Sequence, residues 1–187
     1  MLDYRPVADS QMQITELMVP AYANFGGKVH GGLILSLMDK IAYACASRHA
    51  SQYVITASVD TVDFKEPIEV GSLVRMYASV NYIGNTSMEV GIRTEAHHIQ
   101  SGETHHTNTS YFTMVAMGED GKPVPAPGLI LNTRSELRRF LEGRARRKLK
   151  REYGLARTQL KTSFQVEEAL KTLANEKCDV RWQAGMD

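Results

Sequence analysis

Cysteine, tryptophan and long apolar runs are scarce in this sequence of 187 residues. Cysteine occurs twice, at Cys45 and Cys178, without the spacing of a disulfide framework, so we expect two reduced thiols in a cytoplasmic protein. No apolar stretch is long enough to span a bilayer, because even the most apolar segment is interrupted by polar residues. The N-terminus carries Asp3 and Arg5 and lacks the apolar run of a signal peptide.

A strong net charge is also absent, since 22 Lys and Arg residues face 21 Asp and Glu residues, a formal charge of +1. We therefore expect no global attraction to nucleic acid or membranes. The charge is unevenly distributed, because residues 134–151 hold nine basic and two acidic residues. A hydrophobic content of 43% is ordinary for one globular domain with a tail, so composition selects no function.

A glycine-rich loop that leads into an apolar helix dominates residues 24–49. From Leu33 onward, apolar residues recur at helical spacing, and further apolar residues occupy the other faces. A helix that is apolar nearly all round is expected to be buried. Asp39 lies about two turns inside it, on one stripe with Ser36 and Tyr43. A buried carboxylate needs a partner or a task, so Asp39 is a candidate catalytic residue, with a satisfied structural role as the alternative.

The glycines before this helix suggest where a carbonyl is polarised. Gly31 and Gly32 place their amides at the positive end of the helix, where a developing oxyanion is stabilised. Asn24 alone would most often be a turn residue. Asn24, the glycines and Asp39 within sixteen residues form a more specific pattern than any of them alone.

The remaining pattern predicts five strands around this helix. Alternation and β-branched residues indicate strands at 11–19, 53–64, 72–83, 88–96 and 106–117, with turns at Gly84-Asn85 and Ser101-Gly102. The expected fold class is α+β, a hotdog fold in which an antiparallel sheet wraps one long central helix. Because such a sheet leaves an open edge strand, we expect the chain to form dimers.

The C-terminal third predicts a different organisation. After a proline-rich linker at 123–127, a basic helix is expected from Asn132 or Thr133 to about Tyr153, then a polar tail with a short helix at 164–174. The predicted division is a hotdog domain at 8–122, the linker and basic helix at 123–153, and a tail at 154–187. The basic helix suits nucleic acid, an acidic membrane or the phosphates of a small ligand, and its scarcity of aromatic residues argues against nucleic acid.

Two pairs of histidines invite a metal hypothesis. A two-residue turn at 101–102 would place His98 opposite His105 and His97 opposite His106. Neither pair has an acidic or cysteine ligand at an evident spacing. We therefore expect exposed sheet histidines and no metal.

The loop and helix resemble those of the hotdog-fold acyl-CoA thioesterases of the bacterial acyl-CoA hydrolase and brain acyl-CoA hydrolase type. The resemblance covers roughly residues 8–150. Many members carry Phe where this chain has His30, and the histidine form resembles the phenylacetyl-CoA thioesterase branch of the same fold. The matching residues are Pro20, Asn24, Gly27, His30, Gly31, Gly32, Leu35, Met38, Asp39 and Ala42.

The resemblance implies hydrolysis of acyl-CoA to a carboxylic acid and coenzyme A, without a metal or redox cofactor. Asp39 is implied as general base or nucleophile and Asn24 as its orienting partner. Gly32 is the candidate amide for the thioester carbonyl, with Gly31 as the alternative. His30 is implied either as a second acid or base or as a hydrogen bond that fixes the loop.

Coenzyme A and oligomer contacts follow from the same resemblance. It implies a homodimer as the active unit, with Asn24 and Asp39 from different subunits, and dimers assembled into hexamers. Neither nucleic acid nor a membrane is expected as a partner. The acyl chain is expected near Met38 and Ala42. The candidate coenzyme A contacts are Gly31, Thr86, Ser87, Arg93, Arg144 and Arg147.

Two other functions fit a hotdog domain. A hotdog dehydratase would need a different acid and base set, typically within an Asp-x-x-x-x-His motif, which the sequence lacks. A non-enzymatic acyl-CoA sensor would bind the thioester without turnover. Asn24 together with Asp39 argues against a sensor, because a sensor has no need of a hydrolytic carboxylate.

Overall fold

The computed structural model describes residues 3–181 and forms two compact units, which meet between Arg144 and Ala145. A five-stranded antiparallel sheet and one long helix, α2 (Gly31–Ala50), make up most of the first unit. The strands are β2 (Met12–Leu17), β3 (Val54–Val59), β4 (Leu73–Ile83), β5 (Ser87–His97) and β6 (Thr104–Ala116), in the order β2-β4-β5-β6-β3. This is the predicted hotdog architecture, although β3 ends five residues earlier than expected.

The core lies between one face of the sheet and one face of α2. Alternate residues of the three long strands point inward, among them Met76, Ile92 and Phe112, and each is at most 1% exposed. Their partners on α2 include Met38 and Ala42, which are fully buried. The period of two on the strands and the helical spacing on α2 therefore predict the core correctly.

The opposite face of α2 corrects the prediction that this helix is buried all round. The sheet covers only one side, and in the single chain Asp39 is exposed together with Ser36 and Lys40. Leu35 and Tyr43, on the same face, are 37% and 43% exposed. The apolar residues on this side of α2 therefore lack a covering element within the described chain.

A short N-terminal strap, which the sequence pattern did not predict, closes the C-terminal end of α2. Strand β1 (Tyr4–Pro6) pairs in parallel with β7 (Gly128–Ile130), and a one-turn helix, α1 (Val7–Ser10), follows β1. Arg5 donates 2.6 Å hydrogen bonds to the carbonyl of His49 and to the hydroxyl of Ser51, at the C-cap of α2. A cation at a helix C-terminus satisfies free carbonyls and complements the helix dipole.

The histidine pairing predicted from a two-residue turn is wrong. The β5–β6 connection is longer, because His98 pairs with Glu103 through its backbone, and Gly102 adopts a positive φ of 75°. His97 consequently lies opposite Thr104, and His106 lies opposite Glu95. A shift in the turn moves every cross-strand partner, so the expected histidine pairs do not form.

The basic helix, α3 (Arg134–Thr162), is nine residues longer than expected at its C-terminal end. Thr133 accepts a 3.1 Å hydrogen bond from the Glu136 amide, and the Glu136 carboxylate accepts from the Thr133 amide at 2.9 Å. This capping box fixes the start of α3 at the predicted place. Gly143 is the one buried residue of α3. The helix lies against Tyr82 and Glu89 at this point, so closely that a side chain at position 143 would collide with them. The predicted short helix in the tail is α4 (Val166–Thr172).

Candidate functional site

A cavity of about 550 Å³ opens on the exposed face of α2, next to Asp39. Most of its wall is apolar, and the Phe112 ring forms part of it. The acyl chain was expected near Met38 and Ala42, but both lie on the opposite, fully buried side of α2. The lining residues are Gly32, Leu35, Ser36, Asp39, Val59, Val62, Phe64 and Phe112.

The carboxylate of Asp39 is held by a residue that the sequence analysis missed. The Thr56 hydroxyl on β3 donates a 2.6 Å hydrogen bond to Asp39 Oδ1, and Thr56 Oγ1 also lies 3.5 Å from Met114 Sδ. A threonine in a strand is ordinary by itself. Only the packing of β3 beside α2 brings Thr56 to Asp39, so no signal in one sequence identifies it.

The N-terminus of α2 carries the candidate oxyanion amides. His30 is its N-cap residue, and His30 Nδ1 accepts a 2.9 Å hydrogen bond from the Gly32 amide. The imidazole also lies 2.8 Å from where a Gly32 side chain would begin, so a larger residue there would displace it from the cap. Among hydrogen bonds between described residues, none uses the Gly31 amide. Of the two glycine amides, that of Gly31 is therefore the one still available to a ligand.

Asn24 organises the loop that precedes α2. Its Oδ1 accepts hydrogen bonds from the amides of Gly26 at 2.9 Å and Lys28 at 3.2 Å, and Gly27 completes the turn with a φ of 76°. This is the local turn role that asparagine often has. Asn24 is not among the residues that line the Asp39 cavity of the same chain. Beside it, the Phe25 side chain is fully exposed.

Gly32 and Asp39 lie far apart along α2 for two groups that act on one carbonyl. Seven residues separate them along α2, a rise of about 10.5 Å. Reacting groups in a productive complex lie about 3–3.5 Å apart. If both groups serve the same thioester, a second copy of the chain must supply one of them.

Gly31 adjoins this cavity, whereas the other candidate coenzyme A contacts are on other elements. Thr86 and Ser87 are at the β4–β5 turn, where the Thr86 carbonyl accepts a hydrogen bond from Ala116. Arg93 lies on the outer face of the sheet and pairs with Glu95 at 2.7 Å, in a polar groove of about 710 Å³. Arg144 and Arg147 belong to α3 and are exposed. Of the candidates in the first unit, Thr86, Ser87, Arg93 and Arg144 are not among the residues that line the cavity beside Asp39.

Burial shifts the pKa of two groups outside the cavity. Burial raises the pKa of the Cys45 thiol to about 12, so this thiol stays protonated at neutral pH. Burial also lowers the pKa of His49, although its Nε2 lies 3.0 Å from the Pro127 carbonyl. His49 Nδ1 is buried without a hydrogen-bond partner. Both groups are structural, because neither reaches the cavity.

Within residues 3–181, no group of three or more His, Cys, Asp or Glu side chains is arranged to hold a metal ion. His105 lies 3.5 Å from a Glu66 oxygen and 3.8 Å from a Glu103 oxygen, on the surface. Over the same part of the chain, no helix combines the length and apolar character needed to cross a membrane.

Comparison with known proteins identifies relatives over most of the chain. The model of the thioesterase superfamily matches residues 26–102. Protein VdlD of Helicobacter pylori is 47% identical over 145 residues, 78% of this chain and 82% of VdlD. A Bacillus subtilis protein named as an uncharacterized acyl-CoA thioester hydrolase, YkhA, is 35% identical over 129 residues, 69% of this chain and 75% of that protein.

Solved structures show the same fold. An apo-hexameric acyl-CoA thioesterase is 36% identical and superposes with a TM-score of 0.79, covering 82% of this chain and 98% of that one. An acyl-CoA hydrolase from Staphylococcus aureus, solved with butyryl coenzyme A, coenzyme A and coenzyme A disulfide, is 28% identical with a TM-score of 0.75. Its alignment covers 86% of this chain and 99% of that chain.

Three alanine variants of the Staphylococcus hydrolase replace an asparagine, an aspartate and a threonine. In that protein the aspartate follows the asparagine by 15 positions, and the threonine follows the aspartate by 17. Asn24, Asp39 and Thr56 have the same spacing here. The chain belongs to the thioesterase superfamily and, within it, to the hotdog-fold acyl-CoA thioester hydrolases.

Proposed function

We propose that the protein hydrolyses acyl-CoA at the cavity beside Asp39, releasing a carboxylic acid and coenzyme A. One observation carries this assignment: an exposed carboxylate, held by the Thr56 hydroxyl at 2.6 Å, stands at the rim of an apolar cavity. The apolar wall suits an acyl chain, and the carboxylate suits attack on the thioester carbon. No resident cofactor enters this chemistry.

Asp39 serves as general base or as nucleophile. As a base, it takes a proton from water while the hydroxide adds to the thioester carbon and the carbon–sulfur bond then breaks. As a nucleophile, it adds to the thioester carbon, the carbon–sulfur bond breaks, and coenzyme A leaves as the thiolate and takes a proton from solvent. Water then cleaves the resulting mixed anhydride to the carboxylic acid and restores Asp39. The Thr56 hydrogen bond occupies Oδ1 and leaves Oδ2 to face the substrate. Thr56 thus acts as a positioning residue for either route.

The start of α2 polarises the thioester carbonyl. The Gly31 amide is open, whereas the Gly32 amide donates to His30 in the free protein. A carbonyl at this helix end gains from amide hydrogen bonds and from the helix dipole. The Gly32 amide becomes a second hydrogen-bond donor to the carbonyl when the His30 imidazole rotates away from it. Asn24 contributes its Nδ2 donor to the substrate, since its Oδ1 accepts hydrogen bonds from the loop amides.

A second copy of the chain completes the site. Gly32 and Asp39 lie about 10.5 Å apart along one helix, too far for one carbonyl. The exposed face of α2 and the open edge of β3 offer the surface, with Val59 45% exposed and Ile55 36% exposed. Pairing of two β3 edges continues the sheet and covers this surface. Each site then combines Asp39 of one protomer with Asn24 and the glycines of the other.

Coenzyme A extends from this interface to basic and hydroxyl side chains. Its phosphates suit Arg93, Arg144 and Arg147, whose planar guanidinium groups bind phosphate oxygens in pairs. Thr86 and Ser87 suit the nucleotide end. The relatives solved as hexamers support a trimer of dimers, in which residues outside the dimer contribute to the same ligand.

The direct test measures loss of the thioester bond in acyl-CoA substrates of short, medium and long chain. Asp39→Asn should lower turnover at least a hundredfold without changing the oligomeric mass, because the amide cannot accept the proton or attack. Asp120→Asn, a matched change at a surface turn, should leave turnover unchanged. If the wild type binds acyl-CoA but does not hydrolyse it, the protein is a non-enzymatic acyl-CoA sensor and not a hydrolase.

A further inference from the structure

The outer part of α3, residues 145–162, has an apolar strip along one side. Ala145, Leu149, Tyr153, Ala156 and Leu160 follow one another at intervals of four, four, three and four residues. At 3.6 residues per turn, this spacing keeps all five side chains on one side of the helix. Leu149 is 62% exposed, Tyr153 70% and Leu160 73%.

The other side of this segment is cationic. Residues 145–162 hold seven Lys and Arg residues and one acid, Glu152, so the segment carries +6 and the rest of the chain about −5. The basic residues are Arg146, Arg147, Lys148, Lys150, Arg151, Arg157 and Lys161. None of the seven falls within the apolar strip.

The segment has no covering element within the described chain, because every residue from 147 to 165 is exposed. In proteins, most helical stability comes from packing of an apolar side rather than from helix propensity. The apolar strip therefore needs a partner surface.

We propose that residues 145–162 dock on an anionic lipid surface, with the apolar strip inserted at the headgroup boundary and the basic side chains on the phosphates. An amphipathic cationic helix is the form that binds such surfaces. Arg147 is left to coenzyme A, and the other six basic residues do not enter the proposed hydrolysis. Sequence alone favoured no membrane contact because the net charge is near zero, and the exposed strip is the observation that changes this expectation.

Charge decides between this partner and the alternatives. Pairing of two such strips would bring two helices of +6 to about 8–10 Å, within the distance over which charges repel at physiological salt. Nucleic acid would use the charge but not the strip, and the segment has only Tyr153 as a stacking ring. An anionic bilayer uses both sides of the helix.

Vesicle co-sedimentation of the full chain tests the proposal. Binding should be strong with phosphatidylcholine vesicles that contain phosphatidylglycerol, weak with phosphatidylcholine alone, and reduced by added salt. Arg157→Gln with Lys161→Gln should weaken binding about thirtyfold, since each cation near such a surface contributes roughly fivefold. The matched control Lys65→Gln with Lys122→Gln removes the same charge elsewhere and should have little effect.

A second set of variants, with its own control, tests the apolar strip. Leu149→Gln with Leu160→Gln should reduce vesicle binding at least tenfold, whereas Leu155→Gln, 64% exposed but off the strip, should not. Hydrolysis of a short-chain substrate in solution should stay unchanged in all these variants, which separates this test from that of the active site. Equal binding to both vesicle types, no binding, or binding to an RNA oligonucleotide alone overturns the proposal. A lower oligomeric mass of the strip variant, with vesicle binding unchanged, also overturns it.

Discussion

The Thr56 hydroxyl donates a 2.6 Å hydrogen bond to Oδ1 of Asp39 and so ties the edge strand β3 to the exposed face of α2. The bond fixes the rotamer of the carboxylate and leaves its second oxygen toward the cavity. A carboxylate on an exposed helix face would otherwise sample several rotamers. The hydrogen bond thus supplies the orientation that an exposed catalytic acid lacks.

Replacement of Thr56 should lower turnover more than it lowers stability. Thr56→Val keeps the shape but removes the hydroxyl, and a hydrogen bond to a charged group is worth about 1.5–3 kcal/mol. We expect kcat to fall roughly tenfold to hundredfold with KM nearly unchanged, measured by loss of the thioester bond. Thr56→Ser restores the hydroxyl and should recover most of the activity. Equal losses in Val and Ser variants would show that the hydroxyl has no positioning role.

Removal of the His30 cap should destabilise α2. His30→Ala leaves the Gly32 amide without its 2.9 Å acceptor, and loss of an N-cap side chain costs about 0.5–2 kcal/mol. Urea unfolding should show this loss as a lower midpoint with an unchanged slope. His30→Asn, which retains an acceptor at the cap, should recover part of the stability. If His30→Ala unfolds at the wild-type midpoint, the imidazole does not cap the helix in solution.

Stability should depend on pH through His49. Burial lowers the pKa of His49 below its ordinary value of 6.5, with the nearby Arg5 cation acting in the same direction and Asp3 and Asp9 opposing it. In the unfolded chain His49 takes up a proton near pH 6.5, while the folded protein takes it up only at lower pH. The stabilising contribution is therefore complete above about pH 6.5 and declines as pH falls toward the folded-state pKa.

The His49→Gln variant provides the comparison for that pH dependence. Glutamine can still donate to the Pro127 carbonyl but does not titrate. The free energy of unfolding of the wild type should fall below pH 6.5 by up to about 1.4 kcal/mol per pH unit more steeply than that of the variant. Parallel pH profiles for the two proteins would show that His49 is not buried in its neutral form.

The two cysteines should differ sharply toward a thiol reagent. Cys45 is fully buried with a pKa raised to about 12, whereas Cys178 is exposed. The thiolate is the reactive form. In the native protein the reagent should therefore modify Cys178 quickly, about one thiol per chain, and Cys45 only after unfolding. Cys178→Ser should abolish the fast phase. A fast phase that survives this change would place Cys45 at an accessible position.

The sequence predicts the core and the helix N-terminus but not which face of α2 is open. The spacing of Ile34, Met38 and Cys45 identifies the buried side. The same reasoning also predicts burial for Leu35 and Tyr43. A sequence shows that a residue is apolar, but it does not show whether that residue packs on its own sheet or on another chain. The exposure of Asp39 is for that reason visible only in three dimensions.

Contacts between distant segments are the features that one sequence cannot supply. Thr56 reaches Asp39, and β1 reaches β7, through the path of the chain rather than through local pattern. The β5–β6 turn shows the related difficulty of register, since its length decides whether His97 faces His106 or Thr104. The cap at Thr133 was predictable, because capping boxes are encoded within four residues.

Subunit complementation is the measurement that shows whether two protomers share one active site. Asn24→Ala and Asp39→Ala are each expected to be inactive, and the two variants are then co-expressed and purified together. Random pairing makes half of the dimers mixed, and each mixed dimer has one intact site, so about a quarter of wild-type turnover should return. No recovery, from dimers shown to contain both variants, would mean that Asn24 and Asp39 act within one chain.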